Sequence, residues 1–226
     1  MTEFIEGAAV VAASAIRRVA PPLEADFVTV IKFLVDNPDS ARAYRGALPG
    51  SEEYIALLAT KYASARAPKF PQVPSTVPDP AVSVVLQSFF HVAESDLDRI
   101  KTEHQLSMAA ENLVGDILER YIAENMEQSG WVWCAGAFVK SIDFIRPVGT
   151  GWESLQVKNR DNSENSSSAQ VRQGTSISKW HRTASRTGFT NWAKFPAPIG
   201  HSLTEEGFLD FISDYFETND LNTELS

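Results

Sequence analysis

Asp143, Gln156 and Lys158 are a carboxylate, an amide and an amine whose spacing suits chemistry on a phosphate ester. Asp143 stands in the β-prone run SIDFI. Gln156 and Lys158 stand in LQVKN, after twelve intervening residues. Side chains alternate along a strand, so Gln156 and Lys158 emerge on one face while Val157 points the other way, into a core. A hairpin turning at Pro147, Gly149 and Gly151 brings Asp143 to the same face. There the carboxylate and the amide oxygen can hold a hard divalent cation. Lysine can orient or deprotonate a water, and the cation can neutralise charge that develops on a scissile phosphate. On spacing alone, the same residues also describe an exposed lysine beside a hydrogen-bonded glutamine. Context favours chemistry, because a helix bearing acids precedes the strands and a basic, amide-rich segment follows them. Glu111 and Glu119 on that helix are candidates to complete a metal site, against the alternative of two solvated helix-face carboxylates.

The elements that must position this set change character along the chain. The first hundred residues read as helices: Phe4 to Arg18, Leu23 to Val35 after Pro21 and Pro22, and Glu52 to Ala63 behind Ser51 as N-cap. Ala67 to Pro80 holds five prolines in 14 residues, so it predicts an extended surface crossing rather than a helix or central strand. Val82 to Val92 resumes an apolar pattern, and His91 within it reads as a core or boundary histidine. Ser107 to Met126 predicts a strong helix with Leu113, Val114, Ile117, Leu118, Tyr121 and Ile122 on one broad face, stopped by Gly130. Three β-prone runs follow, at Trp131 to Phe138, Ser141 to Ile145 and Ser154 to Asn159. The polar segment from Asp161 to Gly174 then leads to expected helices at Ile177 to Ser185 and Phe208 to Phe216. The sum is an α/β (α+β) fold with a central mixed sheet flanked by helices. A helical N-terminal lobe spans residues 1–105, and the sheet-bearing core spans 106–226.

Charge narrows the function. The chain carries 20 lysines and arginines against 29 acids, a net charge of −9, which argues against non-specific polyanion binding. Between Gln156 and Phe195, however, Lys158, Arg160, Arg172, Lys179, Arg182, Arg186 and Lys194 face only Asp161 and Glu164. That window is either a solvated basic face or a local anion-binding surface on an acidic protein. A single cysteine, Cys134, excludes an intramolecular disulfide and a cysteine-based zinc site. No apolar run reaches the roughly 20 residues of a membrane span. The acids before and arginines after the first small-residue run predict an amphipathic helix of a cytoplasmic protein rather than a secretory signal. No glycine-rich phosphate cradle is present, so neither ATP nor S-adenosylmethionine is expected.

The order αβββ, with Asp143 on the second strand and Gln156-Val157-Lys158 on the third, resembles the PD-(D/E)XK nuclease superfamily. It departs from that pattern twice: no proline precedes Asp143, and Gln156 replaces an acid, removing one negative charge from the site. Longer runs are more specific. KYASARAPKFPQVPSTVPD, ESDLDRIKTEHQLSMAAENLVGDILERYI, GWVWCAGAFVKSIDFI, LQVKNRDNSENSSS and KWHRTASRTGFTNW resemble the SinI-type restriction endonucleases over nearly the whole chain. The resemblance implies a bacterial type II enzyme that cuts double-stranded DNA at the palindrome GGWCC (W is A or T), after the first G. It places Asp143, Gln156 and Lys158 at the catalytic positions. A Mg²⁺ ion would then sit on Asp143 and Gln156 with Glu111 or Glu119, and a twofold homodimer would match the twofold target. Asn159, Arg160, Asn162 and Asn165 follow the catalytic strand, where a loop can enter the major groove, and arginine suits guanine there. Arg172 belongs to the same basic window. Lys179, Arg182 and Arg186 recur at helical spacing and are expected to share a face toward phosphates. Trp180 and Trp192 read as packing residues. Two rivals remain: a non-catalytic DNA-binding protein on a decayed nuclease core, and an interaction protein whose basic segment meets an acidic partner.

Overall fold

The computed structural model describes residues 3–75, 79–161, 177–196 and 203–223, with side chains described as far as Asn219. The chain divides into two compact units, Met1–Pro68 with Leu118–Ser226, and Lys69–Ile117.

In the first unit, α1 (Ala8–Val19), α2 (Glu24–Asp36) and α3 (Glu52–Arg66) form where the apolar spacing predicts. Ala8, Ala12 and Ile16 are buried from α1, each four residues from the last, so one stripe of that helix faces the interior. Pro21 and Pro22 open a short 3₁₀ turn into α2. The Ser51 hydroxyl caps α3 by accepting from the Tyr54 N–H at 3.2 Å.

These helices brace a four-stranded mixed sheet of order β1-β2-β3-β4. Here β1 is Val132–Trp133, β2 Phe144–Val148, β3 Gly151–Arg160 and β4 Ile177–Thr183. The first two pairings are antiparallel and β3–β4 is parallel. Tyr62 of α3 donates to the Trp133 carbonyl at 3.2 Å, and Trp152 at the hairpin end donates to Asp36 of α2 at 2.9 Å. The last helix, α6 (Glu205–Thr223), lays Phe208 and Phe211 on Tyr121, with Trp192 against Tyr121 and Trp180. Trp180 is buried in this cluster, as a packing residue should be.

The expected helix at Ile177 to Ser185 is instead the strand β4. Pairing to β3, which buries Trp180 on one face, overrides the three-and-four spacing of its cations. The first expected strand shrinks to Val132–Trp133 because positive φ at Gly136, Ala137 and Ser141 turns the chain away. The second begins three residues later than expected, at Phe144, so Asp143 stands at its mouth rather than inside it.

The second unit holds the proline-rich crossing, α4 (Pro80–Ser88) and the start of α5 (Leu97–Met126), which begins ten residues earlier than its apolar face predicts. Asp79 caps α4 through the Ala81 N–H at 2.9 Å. His91 is exposed, not a core histidine, because α4 has already ended and residue 91 turns at φ 55°. Among the described residues, no helix is long and apolar enough to cross a membrane.

Candidate active site

Where the β2–β3 ladder ends, Asp143 takes over the hydrogen bonding. Its N–H donates to the Leu155 carbonyl at 2.9 Å, and its carboxylate accepts from the Val157 N–H at 2.7 Å. One residue thus grips the chain on both sides of Gln156. Gln156 is buried at 6% exposure, while Lys158, two residues on, is exposed. The expected trio is therefore brought together, with the amide deep and the ammonium at the surface.

Electrostatics agree with that geometry. Burial pushes the Asp143 carboxyl up to about 6, against the opposing pull of the Val157 N–H and the Lys158 charge. The residue as a whole keeps part of its surface accessible, so its main-chain and carboxyl atoms are unequally covered. An anion held at such a cost is a natural seat for a cation.

The two helix glutamates part company. Glu119 accepts from the Trp133 indole at 2.8 Å, and the guanidinium groups of Arg66 and Arg120 lie over that indole at 5.2 Å. Burial pushes the pKa of the neighbouring Cys134 thiol well above its usual range, and the charges of Asp143 and Glu119 push it further up. Both carboxylates therefore act electrostatically on the same buried thiol. Glu111 is exposed and belongs to the other unit. Among the described residues, no three His, Cys, Asp or Glu side chains form a metal cluster. Asp143, Glu119 and the Gln156 amide each carry an oxygen of the kind a hard cation takes.

The β3–β4 register distributes the basic window over two faces. Gln156 pairs with Lys179, Lys158 with His181, and Arg160 with Thr183. Partners in a parallel pair share a face, so Lys179 and His181 flank the glutamine and lysine of the site. Arg182 points to the opposite face from Lys179, because the segment is a strand and not a helix. Its guanidinium donates to Asn159 at 2.9 Å, pairs with Glu205, and lies over the Phe208 ring at 4.9 Å. Glu205 also accepts from Trp192 at 2.8 Å. Asn159 and Arg182 are thus joined to each other and to α6. Arg160 and Arg186 are exposed, the latter in the turn after β4. Asn162, Asn165 and Arg172 lie outside the described residues. Sequence reasoning missed His181 and the Trp133 clamp on Glu119. No local pattern signals either one; the pairing of β4 with β3 places the histidine.

The SinI restriction endonuclease family matches residues 8–218. The chain belongs to this family. It is 45% identical over 221 residues to the type II restriction enzyme Eco47I of Escherichia coli, covering 95% of this chain and 96% of the relative. It is 44% identical over 219 residues to the type II restriction enzyme SinI of Salmonella infantis, covering 94% and 95%. With two relatives of one enzymatic kind, each matched over nearly its full length, this SinI-family chain is of the type II restriction endonuclease class.

Proposed function

We propose that the protein hydrolyses double-stranded DNA at GGWCC, cutting after the first G, as the endonuclease of a restriction-modification system. The observation that carries the assignment of the centre is the grip of Asp143 on both flanks of Gln156, beside Lys158. Asp143, Gln156 and Glu119 would hold Mg²⁺, with Glu119 preferred to Glu111 because it shares the Cys134 neighbourhood with Asp143. When bound, the ion supplies neutralisation of the charge that develops on the scissile phosphate. Lys158 holds the attacking water and steadies its developing negative charge. Asp143 fixes the strand so that the Gln156 oxygen and the Lys158 amine keep their separation. Arg160, Lys179 and Arg186 contact phosphates, and Asn162, Asn165 and Arg172 read bases. Residues 106–226 form the nuclease core and residues 1–105 the supporting lobe. The palindrome calls for a homodimer that presents one centre to each strand.

Digestion of DNA of known sequence, with Mg²⁺ and with EDTA, tests this reading on wild type, Asp143→Ala and Lys158→Ala. Discrete fragments ending at GGWCC, formed only with metal and absent in both variants, are expected. Gln156 in place of an acid favours one other reading, a sequence-specific binder without cleavage. Folded wild type that retards the site but never cuts it, across metals, pH and salt, would establish that reading instead.

A further inference from the structure

Of the sixteen large apolar side chains left exposed among the described residues, eight lie in the Lys69–Ile117 unit, which is under a quarter of the chain. They concentrate on and just after α4. Val82, Val84 and Val85 are 51%, 60% and 54% exposed, and Phe89 and Phe90 are 73% and 62% exposed. Val82, Val85 and Phe89 follow one stripe, and the Phe89 and Phe90 rings meet edge to face at 4.9 Å. None of the nine residues of α4 is buried. A helix that short does not hold itself in water; it persists when a face is packed against something. The segment from Pro80 to Val92 contains no Asp, Glu, Lys or Arg.

We propose that this surface is the contact between two copies of the chain, α4 packing on α4 across a twofold axis. Each copy carries a net charge of −9, and a contact through this uncharged segment adds no close like-charge pairs to the screened repulsion between two copies. The missing cations make it a poor seat for DNA phosphates and for an anionic membrane. With about 150–250 Å² per aromatic side chain, the two phenylalanines with Val82 and Val85 expose roughly 400 Å² per copy. A symmetric pair therefore buries roughly 800 Å² from these four side chains alone, the larger part of the roughly 1,000 Å² that a specific interface needs. The inference deepens the homodimer proposed above and rests on it only for twofold symmetry.

Sedimentation of the full chain at micromolar concentration tests the surface. Wild type is expected to run as a dimer. The combined variant Phe89→Asp, Phe90→Asp is expected to run as a monomer, with a dimer dissociation constant raised at least about a hundredfold and an unchanged circular dichroism spectrum. An independent readout uses the single native cysteine, which is buried. Ser88→Cys is expected to give a disulfide-linked dimer on mild oxidation, and Ser213→Cys on the exposed face of α6 is expected not to. Monomeric wild type, or a folded Asp variant that dimerises like wild type, overturns the proposal. So does failure of Ser88→Cys to cross-link where the Asp variant does not fold. Cleavage assayed on the same wild-type sample separates the two readings: a dimer that never cuts DNA removes the nuclease centre and leaves the α4 contact standing.

Discussion

On one face of the β3–β4 pair, Val157 and Trp180 are buried, and the polar groups beside them are tied internally, Asn159 to Arg182 and Arg182 to Glu205. On the other face, Gln156, Lys158, Lys179 and His181 stand in register. The residues of the two faces interleave one by one along the chain, so composition cannot separate them. What separates them is what lies against each side. Helix α6 and its aromatic cluster cover the first face and convert an arginine into a strut. The second face keeps two lysines exposed beside a buried amide, the arrangement expected where a phosphate must approach.

The contrast can be broken most severely at Lys158. Replacing it with Ala is expected to lower single-turnover cleavage on the order of a thousandfold, with binding to the site measured in Ca²⁺ or EDTA changed only slightly. Equal losses of binding and cleavage would make Lys158 a phosphate contact instead.

Asp143→Asn sharpens the electrostatic side. Because burial lifts its folded-state value to about 6 from 3.8, Asp143 takes up a proton more readily in the folded protein than in the unfolded one. That group therefore costs stability as pH rises from about 4 to about 6, and the cost is constant above, at most about 3 kcal/mol. Denaturant melts are expected to show the Asn variant more stable than wild type above pH 6, with the difference closing toward pH 4. A constant difference across that range would place the carboxylate in a solvated setting.

Arg182→Ala should act on the fold rather than on DNA. It removes the cation from Glu205, leaving that carboxylate only the Trp192 donor, and takes a guanidinium from Phe208, so a loss of roughly 2 kcal/mol in chemical denaturation is expected. The salt dependence of DNA binding should stay as in wild type. Lys179→Ala should do the reverse, leaving stability unchanged and reducing the slope of log affinity against log salt by about one. If Arg182→Ala instead flattened the salt dependence and left stability intact, the two faces would have to be exchanged in function.

Much of this was legible in the sequence for identifiable reasons. Buried stripes at three-and-four spacing fixed α1, α2 and α3, and Ser51 announced the start of α3. The strand pair carrying Gln156 and Lys158 was signalled by alternation and by the Pro-Gly turn between Asp143 and Ser154. β4 was misread because Lys179, Arg182 and Arg186 repeat at helical intervals, and a seven-residue run fits either period until a neighbouring strand selects one. His91 was misread because an apolar flank implies burial only when something packs on it. Glu111 and Glu119 looked alike for the same reason; Trp133, fourteen residues beyond Glu119, distinguishes them through a contact no local pattern encodes.

The sequence by itself determined the parity of Gln156, Val157 and Lys158, the places of α1, α2 and α3, the basic window and the family runs. These depend on backbone geometry and short-range chemistry. Tertiary structure alone decided that Asp143 closes around Gln156, that Arg182 faces inward while Lys179 faces out, and that the apolar residues of α4 are uncovered. Burial and desolvation are properties of what comes to lie opposite a residue, and that partner is set by the folded chain, not by the neighbours in sequence.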